Sequence, residues 1–110
     1  MVEQAVIENV RRYLVRLTDA GIPAVSGVIF GSAARGAMSA DSDIDVIVLS
    51  PSFDGAKDQR QMDLLWRIRR HVDSRIEPIA IGLREFEEDN GSPIVEIAHR
   101  EGVPVRLKRR

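Results

Sequence analysis

The chain has 110 residues, 44% of them apolar and 30% charged, and 16 Lys or Arg against 17 Asp or Glu leave a net charge of −1. Balanced charge gives no general attraction to nucleic acid or to an anionic membrane. The absence of cysteine excludes disulfides, thiolate metal sites and a cysteine nucleophile, and two histidines are too few for a His-rich zinc site.

One domain spanning residues 1–110 is expected at this length, with an aliphatic core because aromatics are only 5%. No apolar run approaches the ~20 residues that cross a bilayer. MVEQAVIENVRR lacks a signal-peptide core, so the expected address is the cytoplasm.

Residues 3–20 carry Ile7, Val10, Leu14 and Leu17 at helical spacing, and Gly21 is a plausible stop. Val25 to Phe30 is expected to form a buried strand ending on Gly31-Ser32. Residues 33–42 are small, polar and turn-like. IDVIVL, from Ile44 to Leu49, is the strongest strand signal in the chain. Pro51 and Gly55 then punctuate a loop. Residues 58–73 are expected to be a second helix, with Leu64, Leu65, Ile68 and Val72 on one face. A third strand, Arg75 to Ile81, contains Pro78, which suits a sheet edge. A short acidic helix over 83–89 precedes a helix opened by Ser92-Pro93 and closed near Gly102. Val103 to Leu107 completes the elements, followed by a basic tail, Lys108-Arg109-Arg110. The order implies an α/β (α+β) domain with a small sheet. The helical crossover makes the second and third strands parallel. The short link between the first two favours an antiparallel pair.

This topology brings Gly31-Ser32, Asp43, Asp45 and Glu77 to one end of the sheet. Asp43 and Asp45 are two apart, so they share a strand face, roughly 6.5–7 Å from each other. Like charges this close raise one another's pKa unless a cation neutralises them. Oxygen ligands without Cys or His favour Mg²⁺ or Mn²⁺, which completes its shell with water and substrate phosphates. Gly31 and Ser32 supply a turn whose N–H groups and hydroxyl can hold phosphate oxygens, and Arg35 can add a charge. Ser42 suits either a turn cap or a phosphate contact. Asp41-Ser-Asp43-Ile-Asp45 is not a calcium loop, because Val46 and Ser52 stand where Gly and Glu are needed. Gly31 to Gly36 is not a P-loop, because Ala37-Met38 follows.

The string VIFGSAARGAMSADSDIDVIVLS resembles the signature of the polymerase β-type nucleotidyltransferase superfamily, and more narrowly its minimal nucleotidyltransferases (MNT group). The resemblance implies a mixed sheet with its three main strands in order 1-2-3. It implies metal-dependent transfer of a nucleoside monophosphate, AMP from ATP being the expected case, with two divalent cations. Asp43 and Asp45 match the paired metal ligands, Gly31 and Ser32 the phosphate turn, and Glu77 the region of the third carboxylate. Glu77 departs from the more frequent Asp, and Pro78 follows it. Members of this group pair with HEPN-type helical proteins in toxin–antitoxin modules, so the acceptor expected is a hydroxyl on such a partner. The competing readings are a catalytically weak binding module that neutralises its partner by complex formation, and a transferase acting on a small molecule. No membrane or direct nucleic-acid partner is expected. Homo-oligomerisation is left open by the sequence. The arginines at 67, 69, 70 and 75 read as a solvated helix face, with an acidic partner or RNA as the alternative, and Trp66 as the rim of the core, with an interface role left open.

Overall fold

The structure is a computed structural model and describes residues 2–39, 42–88 and 91–107, so the basic tail read at 108–110 lies outside the described residues. Helix α1 runs Gln4–Asp19 and buries Val6, Val10, Tyr13, Leu14 and Leu17. The stripe is thus centred one position away from the expected one, because Tyr13 is drawn inward. Its hydroxyl donates to Leu65 O at 2.7 Å. That bond ties α1 to α2 and satisfies a buried donor.

Strands β1 (Ser26–Phe30) and β2 (Ile44–Leu49) pair antiparallel, and β2 pairs parallel with β3 (Ile76–Ile81). The last strand, β4 (Val103–Arg106), adds antiparallel to β1, so the sheet order is β3-β2-β1-β4. The expected 1-2-3 order is present, with β4 placed on its far side. Pro78 sits on an edge strand, where its missing N–H breaks no second ladder.

Both faces of β2 are covered. Ile44, Val46 and Val48 face the larger core with α1 and α2 (Gln59–Ile68). Ile47 and Leu49 join Val28, Ile81, Val95 and Ala98 beneath α4 (Pro93–Glu101). The short helix α3 (Leu83–Glu88) sends Leu83 and Phe86 to the same cluster. Phe86 stacks on His99 at 4.2 Å, and His99 Nε2 lies 2.9 Å from Phe86 O, which joins α3 to α4.

Helix α2 ends earlier than the expected 73. After Ile68 the chain tightens into a 3-10 turn, Arg69–His71, with Val72 and Asp73 N–H both donating to Arg69 O. The cause is the turn into β3: Arg69 Nη1 donates to Ser74 O and Ile76 O, which draws the following chain back over the helix end. Among the described residues, no helix is long and apolar enough to cross a membrane.

Candidate active site

The first strand ends at Phe30, and the chain must leave the sheet there. Gly31 does so with φ +75°, in the left-handed region that side chains resist. A Cβ on Gly31 would also lie 2.5 Å from Asp45 Oδ2. The turn therefore passes hard against that carboxylate, and only a glycine fits.

Beyond Gly31 the backbone winds through successive turns. Ala34 and Arg35 N–H donate to Gly31 O at 3.1 and 3.3 Å, and Ala37 N–H donates to Ser32 O at 2.9 Å. The N–H groups of Ser32 and Ala33, at the open start of this winding, donate to no backbone carbonyl among the described residues. Free N–H groups behind a glycine form a concavity suited to phosphate oxygens.

Across the ladder, Asp45 stands opposite Phe30 on one side and Glu77 on the other. Opposed residues share a sheet face, and Asp43 shares it by the two-residue strand period. Farther along, Ile47, Leu49, Ile79 and Ile81 make the same face apolar under α4. The face is thus apolar in its middle and acidic at its end. Asp43 is exposed, while Asp45 and Glu77 are half-buried.

The electrostatics follow from that crowding. Desolvation raises the Asp45 pKa, and the Asp43 charge raises it further. Glu77 is raised first by desolvation, then by a side-chain hydrogen bond with Asp43 and by the charges of Asp43 and Asp45, against an opposing pull from Arg69. Carboxylates crowded in this way ionise less readily, so this end of the sheet favours a positive charge.

Among the described residues, no group of three or more His, Asp or Glu side chains stands in metal-binding geometry. The three carboxylates share a face without closing round one point. Their chemistry still suits a hard divalent cation: every donor is oxygen, and neighbouring negative charge raises the pKa values of Asp45 and Glu77.

The remaining predicted residues are turned elsewhere. Arg35 is exposed, its Nη1 3.6 Å from Glu101 Oε1 at the end of α4. Ser42 Oγ accepts from Ser39 N–H at 2.8 Å and lies 3.1 Å from Ser39 Oγ, closing the turn ahead of the Asp pair. One residue bearing on the site went unseen in the sequence. Arg69 was grouped with a solvated face, yet it is partly buried, with its Nε enclosed and unpaired, and its charge acts on Glu77. Four similar arginines gave no local signal; the early end of α2 singles this one out.

Against known proteins, the profile of the nucleotidyltransferase domain family matches residues 7–104. Among solved structures, the fold is similar to one titled "Crystal structure of the toxin-antitoxin with AMP-PNP", with TM-score 0.58, 20% identity, 90% of this chain and 74% of that chain covered. It is also similar to a candidate nucleotidyltransferase from Sulfolobus solfataricus, with TM-score 0.58, 15% identity, 94% of this chain and 87% of that chain covered. No curated protein matches the sequence. At these identities the structural likeness speaks for the fold. The family match is independent of it and takes in the Gly31 turn with Asp43, Asp45 and Glu77, so the chain belongs to the nucleotidyltransferase domain family.

Proposed function

We propose that this chain transfers a nucleoside monophosphate, AMP from ATP, to a hydroxyl on a partner protein, as the antitoxin of a pair with a HEPN-type helical toxin. The observation that carries the transfer reading is the acidic sheet end, where Asp45 opposes Glu77 beside the Gly31 turn. The partner half of the reading draws support from the toxin–antitoxin structure that the fold resembles. Residues 1–110 act as one domain in the cytoplasm in this reading.

Ser32 and the open N–H groups of Ser32 and Ala33 hold the triphosphate. Arg35 leaves its exposed pair with Glu101, a contact of small worth, to add a positive charge. Ser42 keeps its capping role. Asp43, Asp45 and Glu77 would hold Mg²⁺ or Mn²⁺, which when bound neutralises the phosphates and lowers the pKa of the attacking hydroxyl. The acceptor hydroxyl loses its proton to solvent, its oxygen bonds to the α-phosphorus as the bond from that phosphorus to the β-phosphate oxygen breaks, and pyrophosphate leaves. Glu77 lies on the edge strand, the side from which an acceptor can approach.

The test is mass spectrometry on the product of the adjacent gene after incubation with this chain and Mg-ATP. An added AMP unit, or a small multiple, is the expected result. A tight complex with an unmodified partner would replace transfer with neutralisation by binding alone.

A further inference from the structure

Helix α2 has one side chain that its packing does not explain. Leu65 is buried, and Met62, Leu64 and Ile68 pack against the core, yet Trp66, the only tryptophan, is 44% exposed. It is not loose. The Arg69 guanidinium lies 4.9 Å from its ring centroid, and Arg69 is fastened to Ser74 O and Ile76 O. Ile76 is the residue before Glu77. Trp66 is therefore a solvent-facing ring held by Arg69, one arginine away from the third carboxylate, on a helix that packs against β3.

The charge around it is positive and uncommitted. Arg67 and Arg70 are exposed and make no hydrogen bond or ion pair among the described residues. The nearby acids are occupied: Asp63 accepts from Gln59, and Asp73 is held by Arg75 and Asn9.

We propose that Trp66, flanked by Arg67 and Arg70, is the anchor on which the acceptor-bearing partner docks, through an acidic protein surface with an apolar centre. This rests on the protein-acceptor reading above and names the surface for it. A rigid aromatic beside arginines is the composition that dominates binding at protein interfaces. The same side chains would suit single-stranded RNA, but two cations flanking one ring, on a chain of net charge −1, are too few to follow a phosphate backbone. Docking here places the partner on the α2 side of the open β3 edge, the strand that carries Glu77, and orientation of the acceptor supplies much of a transfer rate.

The single tryptophan reports on its own burial. The full chain is titrated with the adjacent gene's product, and Trp66 emission and acrylamide quenching are followed. The expected result is a blue shift, loss of quenching, and a Kd raised at least tenfold by Trp66→Ala. The double variant Arg67→Glu with Arg70→Glu should weaken binding by a similar factor and flatten its salt dependence. Mg-ATP affinity should be unchanged in both variants, which also shows that they fold. A native complex in which Trp66 stays fully quenchable, or Trp66→Ala with unaltered Kd, overturns the docking surface and leaves the transfer reading standing. Protection of Trp66 by poly(U) but not by the protein overturns it in favour of RNA. A native chain that binds no protein overturns the protein-acceptor reading, and this surface with it.

Discussion

Asp73 and Glu77 stand on either side of the turn into β3, and the chain treats their charges in opposite ways. The Asp73 side chain is only 7% exposed, yet it accepts from Arg75 Nη2 at 2.8 Å, Arg75 Nε and N–H at 3.0 Å, and Asn9 Nδ2 at 3.1 Å. The Arg75 side-chain hydrogen bonds hold its pKa below the ordinary value, against its burial. Asp45 and Glu77 are also half-buried, yet their pKa values go up. The protein hydrogen-bonds a cation to the first carboxylate, and gives the other two only the pull of Arg69 on Glu77, which does not offset their neighbours' charge. A carboxylate compensated from within stabilises the fold, whereas carboxylates left to repel one another are suited to a cation from outside.

The comparison breaks most visibly in the site. If Asp45 holds the cation as proposed, Asp45→Asn should abolish Mg-dependent ATP binding and lower transfer by about a thousandfold or more, because metal ligands act as a unit. It should not lower the thermal midpoint, since a repulsive charge has been removed. Calorimetry with Mg-ATP and a melting curve decide it together; equal ATP affinity in variant and native protein would sink the assignment of the Asp pair. Glu77→Gln should keep the nucleotide and lose transfer, separating binding from chemistry.

Gly31→Ala comes next. The variant must adopt φ near +75° and place a methyl 2.5 Å from Asp45 Oδ2. A loss of about 1–3 kcal/mol is expected in urea unfolding, with nucleotide binding impaired because Asp45 has to move. Unaltered stability would mean that the turn is not as tightly held as described.

Asp73→Asn is the structural counterpart. Loss of charged hydrogen bonds at a nearly buried carboxylate should cost about 1–2 kcal/mol, or roughly 4–8 °C in thermal midpoint. ATP affinity should be unchanged. A loss of nucleotide binding as large as that of Asp45→Asn would erase the distinction between the two carboxylate regions.

Much of this was legible from local pattern. The alternation and β-branching of IDVIVL fixed β2 to the residue, and the length of the two connections gave the antiparallel and parallel pairings. The facing of Asp45 and Glu77 followed from those pairings, because strand register converts sequence spacing into position. Side-chain commitments were not legible. Arg35 pairs with Glu101, and Arg69 with carbonyls five and seven residues on, where only the folded turn brings them together. The length of α2 was misjudged for the same reason. Its apolar periodicity continues to Val72, but the pull of Arg69 on the chain entering β3 tightens the last turn. The place of β4 beside β1 is likewise a tertiary choice that no spacing in Val103 to Arg106 encodes.

The smallest effect is the dependence of stability on pH, and its sign differs between the two regions. Asp73 has a folded pKa below the ordinary 3.8, so as pH falls the unfolded chain takes up the proton first. Its contribution is full above the unfolded pKa and is lost as pH drops through the folded one. Asp45 and Glu77 have folded pKa values above the ordinary 3.8 and 4.5, so the folded chain takes up those protons first. Their ionisation costs stability as pH rises through the same acid range, and the cost is complete once pH exceeds the folded values. Stabilisation by Asp45→Asn should therefore be near zero at about pH 3 and grow towards pH 7, reaching at most about 1 kcal/mol for so open a group. Destabilisation by Asp73→Asn should likewise grow with pH, in the opposite direction. Millimolar Mg²⁺ should imitate the first substitution in the native chain at pH 7, because it answers the same repulsion, and should do less in Asp45→Asn. Urea midpoints at four or five pH values, with and without Mg²⁺, measure all three. A native chain indifferent to Mg²⁺ at pH 7 would mean that the repulsion among these carboxylates is already relieved by solvent, and that raised pKa values at this sheet end do not mark a cation site.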